Sequence, residues 1–208
     1  SVYATRYPLQ PGDIKYKDVN GDGFIDEDDV VPIGNSSIPR LQYGFATNVK
    51  YKGWDLGLFF RGSGKVDYFL GGNGVLPFVS KEVGNILSVV GNPHNRWIPA
   101  WYSGNPQTEN PDARFPRLSY GFNKNNYYPS THWLRNGAYL RLKTLEIGYS
   151  FPSAWLRRWH LTRLRLSLIG DNLHVWDKIK YWDPEQASAN GAVYPLTRSF
   201  VFNVQVAL

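Results

Sequence analysis

Six oxygen-bearing residues recur at nearly alternate positions in the segment DVNGDGFIDEDD. Asp18, Asn20, Asp22, Phe24, Asp26 and Asp29 occupy positions 1, 3, 5, 7, 9 and 12 of a twelve-residue loop. Ca²⁺ takes a full shell of oxygen ligands, and a tightly coiled loop turns every second residue toward its centre. Phe24 would supply its backbone carbonyl, Gly23 at position 6 permits the sharp turn, and Ile25 at position 8 gives an apolar anchor. The spacing predicts calcium as a cofactor in a bracing role, because a filled shell leaves no open position for Lewis-acid chemistry. Asp29 stands where a Glu usually closes such a loop, and its shorter side chain predicts weaker closure. GDIKYK before the loop and VVPIG after it read as extended chain, so flanking helices are not expected.

A second group of side chains suits binding. Trp97, Trp101, Tyr102, Tyr127, Tyr128 and Trp133 crowd one Gly- and Pro-rich stretch, and exposed aromatic faces can stack on sugar rings or grip a peptide. Trp97, Trp101, Tyr102 and Trp133 are the expected ligand contacts. Catalytic sets are poorly represented. His94, His132, His160 and His174 lack zinc spacing, and no Cys is present to act as nucleophile, redox pair or thiolate ligand. No serine sits on a strand-to-helix elbow. Asp183 and Glu185 in WDPE read as a turn, not as the carboxylate pair of a glycosidase. An enzyme is not expected.

The elements that must carry these residues alternate with period two. Leu41, Tyr43, Phe45, Thr47, Val49 and Tyr51 oppose Gln42, Gly44, Ala46, Asn48 and Lys50, and after Lys52-Gly53 the pattern resumes with Trp54, Leu56, Leu58 and Phe60. This predicts a long hairpin. Leu145, Ile147, Tyr149 and Phe151 form a third run, Leu164, Leu166 and Leu168 a fourth, and Phe200, Phe202, Val204, Val206 and Leu208 a fifth. Short connections (52–53 and 152–162) alternate with long ones (63–137 and 171–197). That asymmetry, with strands apolar on one face and polar on the other, predicts an all-β fold, an antiparallel transmembrane β-barrel segment with long extracellular loops. Five strands cannot close a barrel, so the remaining strands are expected elsewhere in a longer protein. A secreted, calcium-braced β-domain that binds glycans without transport is the alternative, in which two packed sheets would bury the apolar faces.

Composition agrees with this class. The 208 residues include 33 aromatics (16%), no Cys and no Met, and a Met-free chain opening at Ser1 is expected to be a processed product or a piece of a longer one. No apolar run is long enough for a transmembrane helix. The net charge of +6 is uneven: seven of 17 acidic residues lie in residues 1–29, and residues 30–208 alone carry +10. Neither a basic stripe nor a nucleic-acid module accompanies that balance, so nucleic acid is not an expected partner. Arg157 and Arg158 beside Trp155 and Trp159 suit an interfacial belt at outer-membrane lipid.

Read in order, GDIKYKDVNGDGFIDEDD, IGN (33–35), YGF (43–45), YKGWDLGLFFRG (51–62), NRW (95–97), ARFPRLS (113–119), WLRNGAYLRLKTLEIGYSFP (133–152), GDNL (170–173), DPE (183–185) and YPLTRSF (194–200) form one series. The series resembles the C-terminal portion of SusC/RagA-like TonB-dependent outer-membrane transporters. That resemblance implies a 22-stranded barrel in a Gram-negative outer membrane, a plug and a TonB box N-terminal to this chain, and a SusD-like surface lipoprotein as lid. It implies import of oligosaccharides or peptides driven through the TonB complex. Residues 1–39 would be an extracellular loop with the calcium motif, and residues 40–208 the C-terminal barrel strands with their loops 63–137 and 171–197. Leu208 stands where an aromatic commonly ends such barrels.

Overall fold

The structure is a computed structural model that describes residues 9–78, 86–121, 123–186 and 188–208. In chain order its elements are β1 (Leu41–Tyr51), β2 (Trp54–Gly64), β3 (Asp67–Phe69), the single-turn helices α1 (Ser88–Gly91), α2 (Ala100–Ser103) and α3 (Lys124–Tyr127), β4 (Leu134–Asn136), β5 (Tyr139–Ser150), α4 (Ser153–Leu156), β6 (Arg163–Asp177) and β7 (Ser199–Ala207). They fall into two compact units. One comprises Ser1–Gly34, Phe69–Leu134 and Ser188–Ala192, and the other Asn35–Tyr68, Arg135–Ala187 and Val193–Leu208.

The second unit is built on one antiparallel sheet in the order β1-β2-β5-β6-β7. The turn between β1 and β2 places Lys52 at φ 47° and Gly53 at φ 87°. Two consecutive positive φ values are what a tight two-residue hairpin needs to match strand twist. A side chain at Gly53 would meet the Ser150 carbonyl at 2.8 Å. The register then keeps every apolar run on one face. Phe45 pairs with Phe60, their rings stacked at 4.6 Å, Leu56 with Ile147, Ile147 with Leu168, and Leu168 with Phe202. That face is uncovered: Phe45, Trp54, Leu168, Phe200 and Phe202 are exposed, the last two at 66%. No second sheet of long strands packs on it among the described residues, so the sandwich alternative has no counterpart here.

The opposite face is polar. Arg165 on β6 reaches Asp55 on β2 at 2.6 Å and Glu146 on β5 at 2.7 Å. Gly148 makes room for this cluster, since a Cβ there would lie 2.4 Å from the Arg165 guanidinium. Farther along, the buried Arg141 holds Asp183 at 2.6 Å and Glu185 at 3.1 Å. The WDPE carboxylates are thus ties that fasten the loop after β6 to the sheet.

Two boundaries differ from those that alternation predicts. The loop expected over 171–197 begins later, because β6 continues to Asp177, and the loop expected over 63–137 starts after Gly64 and contains β3 and β4. Period two fails near 171 because a bulge interrupts it. Leu142 pairs with His174 but Thr144 with Asp171, leaving Lys143 and Asn172 to bond each other at 2.7 Å. An inserted residue flips the face assignment of every later residue in the strand, which hides its far end from an alternation test.

Among the described residues the first unit has no long strands, and it is held by a small core of Trp133, Phe115, Val90 and Ile98, all buried. A long loop must bury side chains of its own to hold one shape.

Candidate functional site

The acidic loop folds on its own side chains. Asp18 accepts the N–H groups of Gly21 (2.6 Å) and Gly23 (2.9 Å), Asn20 accepts Asp22 N–H (3.0 Å), and Asp22 accepts Phe24 N–H (2.8 Å). Gly21 and Gly23 sit at φ 81° and 87°, the turns that the motif requires. Asp26 and Asp29 form a reciprocal cap around the short turn Glu27–Asp29. Asp29 also reaches back to the loop entrance, accepting Val19 N–H at 2.6 Å. This bond, with those from Asp26 and Asn20, holds its carboxyl below the ordinary carboxylate value. Asp18, Asn20, Asp22, Phe24, Asp26 and Asp29 therefore lie in one coiled loop with an all-oxygen donor set of the kind a hard cation takes. Among the described residues, however, no group of three or more His, Asp or Glu side chains is gathered to hold a metal ion. The carboxylates are turned onto backbone amides, which relieves their mutual repulsion.

The aromatic candidates separate. Trp97, Trp101 and Tyr102 line one groove of about 490 Å³ together with Gln10, Pro11, Arg96, Ile98, Pro99, Glu109, Arg117 and Leu118. Trp133 does not join them. It is buried to 1%, donates its indole N–H to the Asn126 carbonyl at 2.7 Å, and packs edge-on against His132. A ring so enclosed offers no face to a ligand, and Trp133 is a core residue. Tyr127 is likewise turned inward, its hydroxyl donating to the Pro77 carbonyl, and burial pushes its pKa up to about 12. Tyr128 lies beneath the Lys124 ammonium at 5.3 Å.

The floor of the groove is Trp97. Its backbone N–H donates to the Phe115 carbonyl at 3.0 Å, and the Phe115 backbone N–H to the Asn95 carbonyl at 2.9 Å. Gly12 crosses the indole so closely that a Cβ there would fall 2.2 Å from a ring carbon, and its φ of 87° also favours glycine. The crossing segment is fixed by Asp13, a carboxylate 4% exposed, which binds Arg117 at 2.7 Å and accepts from Asn123 (3.1 Å) and Asn126 (2.9 Å). The rim is α2. Glu109 caps its first turn by accepting Ala100 N–H at 2.7 Å, Gly104 ends it at φ 69°, and Thr108 bonds Ile98 through both backbone and hydroxyl at 2.9 Å. On this rim Trp101 is 84% and Tyr102 72% exposed, their rings 5.9 Å apart and nearly perpendicular.

Gln10, Arg96, Glu109 and Arg117 were not apparent as groove residues from sequence. Arg96 and Arg117 belong to NRW and ARFPRLS, but nothing in their local pattern predicts that the chain near Gly12 returns to meet them.

No protein-family model matches the chain. A TonB-dependent receptor of Formosa agariphila, designated P26, is 31% identical over 181 residues, covering 86% of this chain and 17% of its own length. The chain belongs to the TonB-dependent receptor family. A second receptor of this kind from the same organism, P3, is 29% identical over 177 residues, covering 84% of this chain and 16% of its own length. The fold is shared with the solved structure of the RagAB peptide transporter, at a TM-score of 0.65 and 22% identity, over 89% of this chain and 19% of that one. The chain thus spans about one sixth of the length of the TonB-dependent receptors it matches. In such a receptor an exposed apolar sheet face is a place for lipid or for further protein, and not a defect.

Proposed function

We propose that this chain is part of an outer-membrane, TonB-dependent nutrient importer. Its sheet forms the C-terminal section of a 22-stranded transmembrane barrel with the apolar face on lipid and the polar face on the lumen. The observation that carries the reading is the uncovered apolar face, continuous across five strands of 9 to 15 residues, with buried ion pairs confined to the other side. Strands of that length cross a bilayer when tilted. The receptor would take up oligosaccharides or peptides, with a SusD-like lipoprotein as lid and energy from the TonB complex through parts of the protein outside this chain. Binding and passage are the roles of these residues, and catalysis is not.

Calcium is proposed for the loop 18–29, held by Asp18, Asn20, Asp22, Asp26, Asp29 and the Phe24 carbonyl. Each Asp18 oxygen and Asp29 Oδ2 accept a single amide and keep a lone pair for an ion, whose charge would offset the acidic cluster, while Asp29 Oδ1 is taken by the Val19 and Asn20 amides. Titration of calcium into the full-length receptor, with Asp22→Ala as control, is expected to give heat that the variant lacks.

Deleting the full-length gene in its host tests the importer reading. Uptake of labelled oligosaccharides or peptides should fall, and a protonophore should lower wild-type uptake to the same level. Uptake of both classes unchanged by the deletion overturns the reading.

A further inference from the structure

We infer that the groove between Trp97 and the Trp101/Tyr102 rim is a binding site for a neutral oligosaccharide, a narrowing of ligand class that rests on the importer reading above. Trp101 and Tyr102 are among the most exposed large side chains of the chain, yet they stand on one of its most heavily tied turns. Exposing a Trp and a Tyr on a rigid platform costs solvation without aiding the fold. A pre-set aromatic rim lowers the ordering cost of a ligand that stacks on it.

The groove's other groups decide the class. Its charges balance: Arg117 pairs with Asp13, and the single positive charge of Arg96, whose guanidinium donates to the Val90 carbonyl at 3.1 Å and the Gly91 carbonyl at 2.5 Å, is offset by the single negative charge of Glu109, which caps α2. A ligand with net charge of either sign meets no excess of the opposite sign here. Most backbone donors along the rim are also engaged. The N–H groups of Trp97, Ile98, Tyr102 and Ser103 all donate to carbonyls within the loop, so there is no free edge for an extended peptide to join as a strand. What remains is aromatic faces flanked by polar side chains. Such a surface suits a pyranose, whose C–H face lies on a ring while its hydroxyls reach the flanking groups. At about 490 Å³ the groove is within the size range of small-ligand sites. A polar trough of about 350 Å³ shares Trp97 as a wall and continues the path toward His132, which suits a linear chain of several sugars.

The test is a microarray of neutral and acidic oligosaccharides, together with a tryptic digest of casein, probed with labelled full-length receptor. At least one neutral oligosaccharide is expected to bind. Trp101→Ala should weaken it about tenfold, the loss of one stacking contact, and Trp101→Phe should retain most of it. Both variants should keep wild-type thermal stability because the side chain is exposed. Binding only to casein peptides, binding only to acidic glycans, binding to no saccharide, or neutral-saccharide binding indifferent to Trp101→Ala each overturns the proposal. Those results leave the importer reading standing, since that reading falls only with the uptake assay.

Discussion

At the scale of single residues, two aromatic side chains of the same loop have opposite fates. Trp101 faces water, whereas Trp133 fills the core and satisfies the Asn126 carbonyl. Trp133→Ala is therefore expected to destabilise the loop unit by about 3–5 kcal/mol, seen as new protease cleavage within residues 86–136 of the full-length receptor. Asp29 supports a prediction about pH. Its folded-state pKa is held below the ordinary 3.8 by the Val19, Asp26 and Asn20 amides. Its contribution is then fully present above about pH 4 and is lost as pH falls through the depressed value. Protection factors for the amides of residues 18–29, taken as the intrinsic over the observed hydrogen-exchange rate at each pH, should be high at pH 5 and fall near pH 3. Asp29→Asn should show low protection at both, and a variant indistinguishable from wild type at pH 5 would remove Asp29 from this role.

Among elements, the connections carry the instructive physics. The β1–β2 turn needs two consecutive positive φ values, and Gly53 meets both that and the close Ser150 carbonyl. Gly53→Val should disfavour the hairpin and slow assembly of the barrel proposed above, read from the fraction of heat-modifiable receptor on a gel. The loop after β6 depends on Arg141. Removing it by Arg141→Ala strands the Asp183 and Glu185 carboxylates, at a cost of about 3–5 kcal/mol where such pairs are buried. Arg141→Lys should rescue only partly, because a single ammonium cannot reproduce the fork that reaches both partners. Protease sensitivity of residues 178–187 reports on each. The bulge at Lys143 and Asn172 marks where the hydrophobic pattern slips by one residue, and hence where alternation stopped short of the true end of β6.

For the whole molecule, the decisive feature is which side of the sheet is dry. Neighbours on β7 point to opposite faces, Phe202 apolar and Asn203 polar. Spin labels at Phe202→Cys and Asn203→Cys, in the full-length receptor freed of other cysteines and placed in nanodiscs, should respond oppositely. The first should be relaxed by oxygen dissolved in lipid and the second by a water-soluble nickel chelate. Equal responses would remove the assignment of faces. The charge balance of the chain divides at this scale too, since the acidic excess lies in the 18–29 loop, while on the polar face of the sheet Arg165 pairs across strands with Asp55 and Glu146.

Alternation of side chains alone determined five strands, their pairing into one antiparallel series and the identity of the apolar face, because each of these is a local, period-two property. The spacing of Asp and Asn likewise determined a coiled acidic loop, since its hydrogen bonds span ten residues or fewer. The groove was decided only by tertiary structure. Its floor requires Gly12 to cross Trp97, and its wall requires Asp13 to find Arg117, partners about a hundred residues apart. No periodicity encodes such a meeting. It comes from which side chains the loop buries to make its own core, and that same packing turned Trp133 inward and left Trp101 and Tyr102 at the surface.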